Sequence, residues 1–138
     1  MTPTKVTIEA MINSNTNKVW DYYTQPEHIT KWNFASDDWQ CPTATNDLRK
    51  GGKYFARMEA KDGSYGFDFG AIYDEVIDQK KITYTLGDGR QATTTFENLG
   101  DTTKVTKVFD AEGTNPVGMQ RQGWLAILNN FKKHVESN

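Results

Sequence analysis

The sequence predicts an α+β fold: a curved antiparallel β-sheet wrapped around a long C-terminal helix, with two short helices after the first strand. Three observations carry that expectation. Residues 5–12 alternate apolar and polar side chains, residues 53–109 continue the period of two between short turn dipeptides, and residues 117–136 change to helical spacing. The last helix has an apolar stripe that needs a partner, and the aromatic face of the sheet is the surface large enough to supply one.

Within Lys5 to Ile12, Val6, Ile8, Ala10 and Ile12 share one parity, the pattern of a half-buried strand. Ser14, Asn15, Thr16 and Asn17 then offer N-cap oxygens ahead of Val19, Trp20 and Tyr23, so a helix of two or three turns follows and stops before Pro26. A second short helix is expected around Glu27 to Lys31. From Asn33 to Lys50 the periodicity weakens, with Asp37-Asp38, Pro42 and Thr43 to Asn46. That stretch reads as a long loop holding one short strand near Ala44, and long loops in compact domains are often functional.

After Gly51-Gly52, Tyr54, Ala56, Met58 and Ala60 fall on one face while Lys53, Arg57, Glu59 and Lys61 dominate the other. Asp62-Gly63 signals a hairpin. Phe67, Phe69, Ala71, Tyr73 and Glu75 share the next parity, and Gln79-Lys80 turns the chain. Ile82, Tyr84 and Leu86 follow, Asp88-Gly89 turns again, and Ala92, Thr94 and Phe96 lead to Gly100-Asp101. Thr103 to Phe109 forms the last strand, with Val105, Lys107 and Phe109 on one parity. Asn115-Pro116 supplies an N-cap and a proline at the first helical position; Val117, Gln120, Trp124, Leu128, Phe131 and Val135 then recur at helical spacing through Glu136.

The 138 residues fit a single domain with its core over about residues 5–136, long enough to bury roughly two-thirds of the unfolded surface. A formal charge of −2 with interspersed signs supplies neither a phosphate-tracking stripe nor a polybasic patch, so no nucleic acid is expected as partner. Cys41 is the single cysteine; in its Trp-Gln-Cys-Pro loop it reads as a plain structural or surface thiol. Met1 to Ala10 has no basic segment followed by an apolar run, and no stretch of about 18 apolar residues occurs, so no membrane span and a cytoplasmic location are expected.

No catalytic constellation is visible. His28 and His134 have neither metal-ligand spacing nor a nearby nucleophile and read as surface or helix-edge histidines, so no metal is expected. Ser14, Ser36, Ser64 and Ser137 sit in caps, loops or tails, outside any Gly-x-Ser-x-Gly motif. Gly51-Gly52 and Gly87-Asp88-Gly89 open no helix and are explained by strand punctuation, so neither nucleotide nor other cofactor is expected.

Trp20, Pro26, Trp32, Asn33 and Trp39 within Val19 to Pro42, the run from Gly66-Phe67-Asp68-Phe69 to Tyr73-Asp74-Glu75-Val76, and Gly123-Trp124 with Leu128 and Phe131 carry a resemblance. The chain resembles the activator of Hsp90 ATPase homologue 1-like family, within the wider Bet v 1 and START-related superfamily, over nearly everything from Lys5 to Glu136. The resemblance implies a helix-grip fold and a small hydrophobic ligand, lipid-, polyketide- or aromatic-like, between sheet and helix. The eukaryotic activator makes major chaperone contacts through a separate N-terminal domain that no segment of this sequence encodes. A chaperone partner is therefore an alternative, and the shared fold is the main expectation.

The aromatic face admits two readings, a packed core or the wall of a cavity. On the cavity reading the ligand-binding set is Trp32, Trp39, Met58, Phe67, Phe69, Tyr73, Tyr84, Thr94, Phe96, Lys107, Met119, Gln120, Gly123 and Trp124. Gly123, inside a helix where glycine costs about 1 kcal/mol relative to alanine, points either to close backbone packing or to space for a ligand. Glu75 and Lys107 fall on the concave parity, where a lone charge is expensive; each is expected to be paired, solvated at the cavity mouth or turned out by a bulge. Were they to meet a bound carbonyl, they could enolise it, the alternative of a polyketide cyclase- or isomerase-like enzyme.

Overall fold

The computed structural model describes residues 4–138. In β1 (Lys5–Ile12) the alternation is realised in full, with Val6, Ile8, Ala10 and Ile12 buried between exposed neighbours. The side chain of Asn15 then caps α1 (Thr16–Thr24), its Oδ1 accepting from the Lys18 N–H at 2.9 Å. Pro26 ends that helix by forcing Gln25 to an extended conformation (φ −81°, ψ 129°) and itself opens α2 (Pro26–Trp32).

The expected loop after Asn33 is short. From Trp39 the chain forms a full strand, β2 (Trp39–Asn46), paired with β3 (Lys53–Ala60) at the edge of the sheet. Its pairing runs Trp39 to Ala60 and Gln40 to Glu59, then resumes at Thr43 to Arg57. The irregularity at Cys41-Pro42 breaks the period of two, and the proline, which has no N–H for the ladder, is tolerated on an edge strand. Cys41 thus lies in a strand and is buried.

β4 (Gly66–Ile77), β5 (Lys81–Leu86), β6 (Gln91–Asn98) and β7 (Thr103–Asp110) continue the meander, and β1 closes on β7, so the antiparallel sheet runs β1-β7-β6-β5-β4-β3-β2. A second irregularity sits in β4, where Tyr73 faces Tyr84 but Glu75 faces Thr83. One extra residue, Asp74, reverses the parity beyond it. Glu75 is therefore turned to the outer face, where it meets Lys81 at 2.9 Å. The bulge among the three expectations for this carboxylate is the one realised, and Glu75 does not pair with Lys107.

The final helix, α3 (Val117–Glu136), crosses the concave side and buries Leu128, Phe131 and Val135. It starts one residue later than expected: Pro116 occupies the cap position, while the Asn115 amide hydrogen-bonds Glu112 instead of capping. Phe131 is fully buried between Trp32 and Tyr23, with ring centroids 4.9 and 5.1 Å away in edge-to-face geometry. Trp124 stacks on Phe109 at 4.1 Å, which anchors the N-terminal half of α3 to β7. Helix and sheet diverge from there toward β3, β4 and β5, and the space between them is the candidate site.

Candidate functional site: a cavity between sheet and helix

The concave face encloses a cavity of about 460 Å³. Strand alternation places Met58 of β3, Phe67, Phe69 and Tyr73 of β4 and Ile82 and Tyr84 of β5 on its floor. Tyr23 and Trp32 enter from α1 and α2, and Gln120, Trp124, Ile127 and Leu128 from one face of α3. The rings form a continuous wall: Tyr54 lies 5.9 Å from Phe69 and 6.1 Å from Tyr84, and Tyr73 lies 6.2 Å from Tyr84.

The polar groups in this wall are held by neighbours. Asn33 Nδ2 donates to the Tyr54 hydroxyl at 3.3 Å, and the Tyr23 hydroxyl shares a 3.2 Å hydrogen bond with Thr94 Oγ1. The Tyr73 hydroxyl donates to Asn46 Oδ1 at 2.6 Å, and Asn46 Nδ2 donates to the Thr24 carbonyl at 2.6 Å. Gln120 clamps the loop before α3: its Oε1 accepts from the Glu112 N–H at 2.8 Å and its Nε2 donates to the carbonyls of Glu112 and Asn115.

Burial raises the phenol pKa of Tyr54 well above the ordinary value, and that of Tyr73 also, the Asn46 bond opposing only part of the rise. Tyr84 moves the same way through burial, against the pull of Lys107. These three phenols stay protonated at neutral pH and can donate hydrogen bonds. Burial acts to lower the pKa of Lys107, but the phenol oxygens of Tyr23 and Tyr84 outweigh it and hold the ammonium above its ordinary value. The Lys107 Nζ sits 5.3 Å from the ring centroids of Tyr23 and Trp124 and 5.9 Å from that of Tyr84.

Nine of the residues singled out in the sequence meet on this wall: Trp32, Met58, Phe67, Phe69, Tyr73, Tyr84, Lys107, Gln120 and Trp124. Five lie elsewhere. Trp39 precedes the β2 irregularity and rests beside Tyr65 and Phe67 outside the cavity. Thr94 is behind Tyr23, and Phe96 is in the core beneath Trp20 and Tyr23, because α1 covers that end of the sheet. Met119 is 61% exposed on the first turn of α3. Gly123 contributes no atom to the wall, and a Cβ there would meet nothing within 4 Å, so close backbone packing does not explain this glycine.

Sequence reasoning did not assign Tyr23, Thr24, Asn33, Tyr54, Tyr65, Ile82, Arg90, Glu112, Asn115, Ile127 or Leu128 to the site. Tyr54 shares strand parity with Met58, and Ile82 with Tyr84, so the signal for both lies in the sequence. Arg90, Glu112 and Asn115 sit in connections, where no period exists to read.

Outside the cavity, His28 Nδ1 lies 3.1 Å from His134 Nε2, with Tyr22 stacked on His28 at 3.8 Å. Among the described residues no group of three His, Cys, Asp or Glu side chains is arranged to hold a metal ion. The Cys41 thiol is pushed up in pKa by burial, although Asn33 and the Thr43 backbone oppose this. No described helix is long and apolar enough to cross a membrane.

A family model described as "Activator of Hsp90 ATPase homolog 1-like protein" matches residues 13–136. Among solved structures, the AHSA1-like protein from Aeromonas hydrophila is 37% identical, with 97% of this chain and 93% of that chain covered and a TM-score of 0.92. A protein from Cytophaga hutchinsonii is 48% identical over 97% of this chain and 93% of its own, with a TM-score of 0.83. A protein from Chromobacterium violaceum, 21% identical over 99% of this chain and all of its own (100%), shares the fold at a TM-score of 0.87. No curated protein is matched by the chain.

Proposed function

This chain belongs to the Activator of Hsp90 ATPase homolog 1-like family, and from that premise we propose that its cavity binds a small hydrophobic molecule. The observation that carries the reading is the cavity of about 460 Å³ walled by nine aromatic side chains, Tyr23, Trp32, Tyr54, Tyr65, Phe67, Phe69, Tyr73, Tyr84 and Trp124. Ligand pockets of roughly 300–1,000 Å³ with apolar walls and few polar groups are the usual form of such sites. Removing apolar surface from water contributes about 25 cal/mol per Å², so a ligand that buries ~200 Å² gains ~5 kcal/mol before ordering costs. In this reading the Tyr54 and Tyr84 hydroxyls orient its polar groups as donors, and the Tyr73 hydroxyl, whose hydrogen goes to Asn46, serves only as an acceptor.

Binding is favoured over catalysis by a specific feature. The carboxylate that would partner Lys107 in acid–base chemistry, Glu75, is on the opposite sheet face, paired with Lys81. The test is a calorimetric titration of neutral 2-naphthalenemethanol and 1-dodecanol into the wild type and into Ile127→Trp, which fills the cavity from α3. Saturable binding in the wild type and its loss in a folded Ile127→Trp variant are expected. If neither these compounds nor their carboxylate counterparts, 2-naphthoate and dodecanoate, bind the wild type, the proposal is overturned.

A further inference from the structure

Of the two cations on the cavity wall, Lys107 and Arg90, Lys107 has no counterion among the described residues. Lys107 rises from the middle of β7, between Thr94 of β6 and Ile8 of β1, and ends among the faces of Tyr23, Tyr84 and Trp124. No carboxylate of the described residues forms an ion pair with it. The other two charged residues of the wall are engaged. Arg90 Nε meets Asp88 at 2.7 Å, and Glu112 Oε1 accepts from the backbone N–H and side-chain amide of Asn115 at 2.8 and 2.5 Å.

An ammonium withdrawn from bulk water is costly to hold without an anion, and the neutral phenol oxygens of Tyr23 and Tyr84 with three aromatic faces replace only part of its hydration. It has three donors and no acceptor, so the complement it lacks is an anionic oxygen. A free inorganic anion would remain strongly hydrated and would leave the apolar walls uncovered. An apolar body carrying one acidic group satisfies both demands. The neutral Tyr84 phenol beside the ammonium supplies a second donor to the same anion.

We propose that the ligand class of this cavity is the hydrophobic acids: molecules with a ring or chain body and a single carboxylate or comparably acidic group, whose anion seats on the Lys107 ammonium between Tyr23, Tyr84 and Trp124. The inference rests on the cavity being a site for hydrophobic molecules and adds the sign of the ligand's charge. Lys107 is the residue that discriminates acid from neutral analogue.

The experiment compares matched pairs, 2-naphthoate with 2-naphthalenemethanol and dodecanoate with 1-dodecanol, titrated calorimetrically at pH 7.5 into the wild type, Lys107→Met and Lys107→Arg. In the wild type the acid of a pair is expected to bind at least about tenfold more tightly than its alcohol, or about 1.4 kcal/mol. Lys107→Met should abolish the preference while the alcohol still binds, and Lys107→Arg should keep it. A melt checks that Lys107→Met is folded, as expected when a lone charge gives way to an apolar chain of similar length. Independently of any variant, dodecanoate labelled with ¹³C at the carboxyl should titrate at lower pH when bound to the wild type than when free. Equal affinity for acid and alcohol, a preference that survives in Lys107→Met, or a bound carboxyl pKa that is unchanged or raised overturns the acid assignment and leaves the hydrophobic cavity standing. If neither acids nor alcohols bind the wild type, the cavity reading fails and this assignment with it.

Discussion

His28 on α2 and His134 on the last turn of α3 face each other across 3.1 Å, Nδ1 to Nε2. One ring must donate and the other accept, so the contact requires at least one neutral imidazole. Burial, and then His28, Lys31 and Lys18, lowers the His134 pKa below its ordinary 6.5. A base whose folded pKa is depressed contributes stability that is present above its unfolded pKa and is lost as pH falls through the folded one. The melting temperature should therefore decline between pH 7.5 and 5, and His134→Gln, which keeps a hydrogen-bonding group but does not titrate, should decline less. Equal slopes for the two proteins would show that the pair does not govern this range.

Phe131 decides whether helix and sheet act as one core. It has no solvent exposure and meets Tyr23 of α1 and Trp32 of α2 edge to face. Removing the ring leaves a void that α1, α2 and α3 cannot all close around, so Phe131→Ala should cost about 3–5 kcal/mol in urea unfolding. A loss below about 1 kcal/mol would mean that the three helices relax independently, against the close packing expected of a core.

Elements are most legible in the sequence where burial alternates without interruption. β1 and α3 are read directly because each has one buried face along its whole length. Of β2 only a short strand near Ala44 is legible, because Cys41-Pro42 interrupts its parity, and the parity of Glu75 leaves its face open, because the single bulge residue Asp74 reverses everything beyond it. The site divides in the same way. Tyr73, Tyr84 and Lys107 follow from strand parity, whereas Asn33, Arg90 and Glu112 reach the cavity through connections whose course depends on how the helices close over the sheet.

Gly123 tests the α3 surface. It lies within the helix, it adds nothing to the cavity wall, and a Cβ there has no neighbour within 4 Å. Gly123→Ala should therefore raise stability by about 0.5–1 kcal/mol through the lower backbone entropy of its unfolded chain. Thermal and urea unfolding would both register it. A loss of stability instead would indicate a contact that the free space around this position does not contain.

Asn46 joins three elements at the rim of the cavity. At the end of β2, its Oδ1 accepts from the buried Tyr73 hydroxyl of β4, and its Nδ2 donates to the carbonyl of Thr24, the last residue of α1. The second bond satisfies one of the carbonyls that a helix C-terminus leaves open. Asn46→Ala strands both partners and should cost about 1–3 kcal/mol, more than Tyr73→Phe, which removes one donor and leaves the bond to Thr24 intact. Because both changes delete the same hydrogen bond, the double variant should be more stable than the sum of the single losses predicts, by about 1 kcal/mol. Additive losses in denaturant titrations of all four proteins would mean that Tyr73 and Asn46 are not coupled.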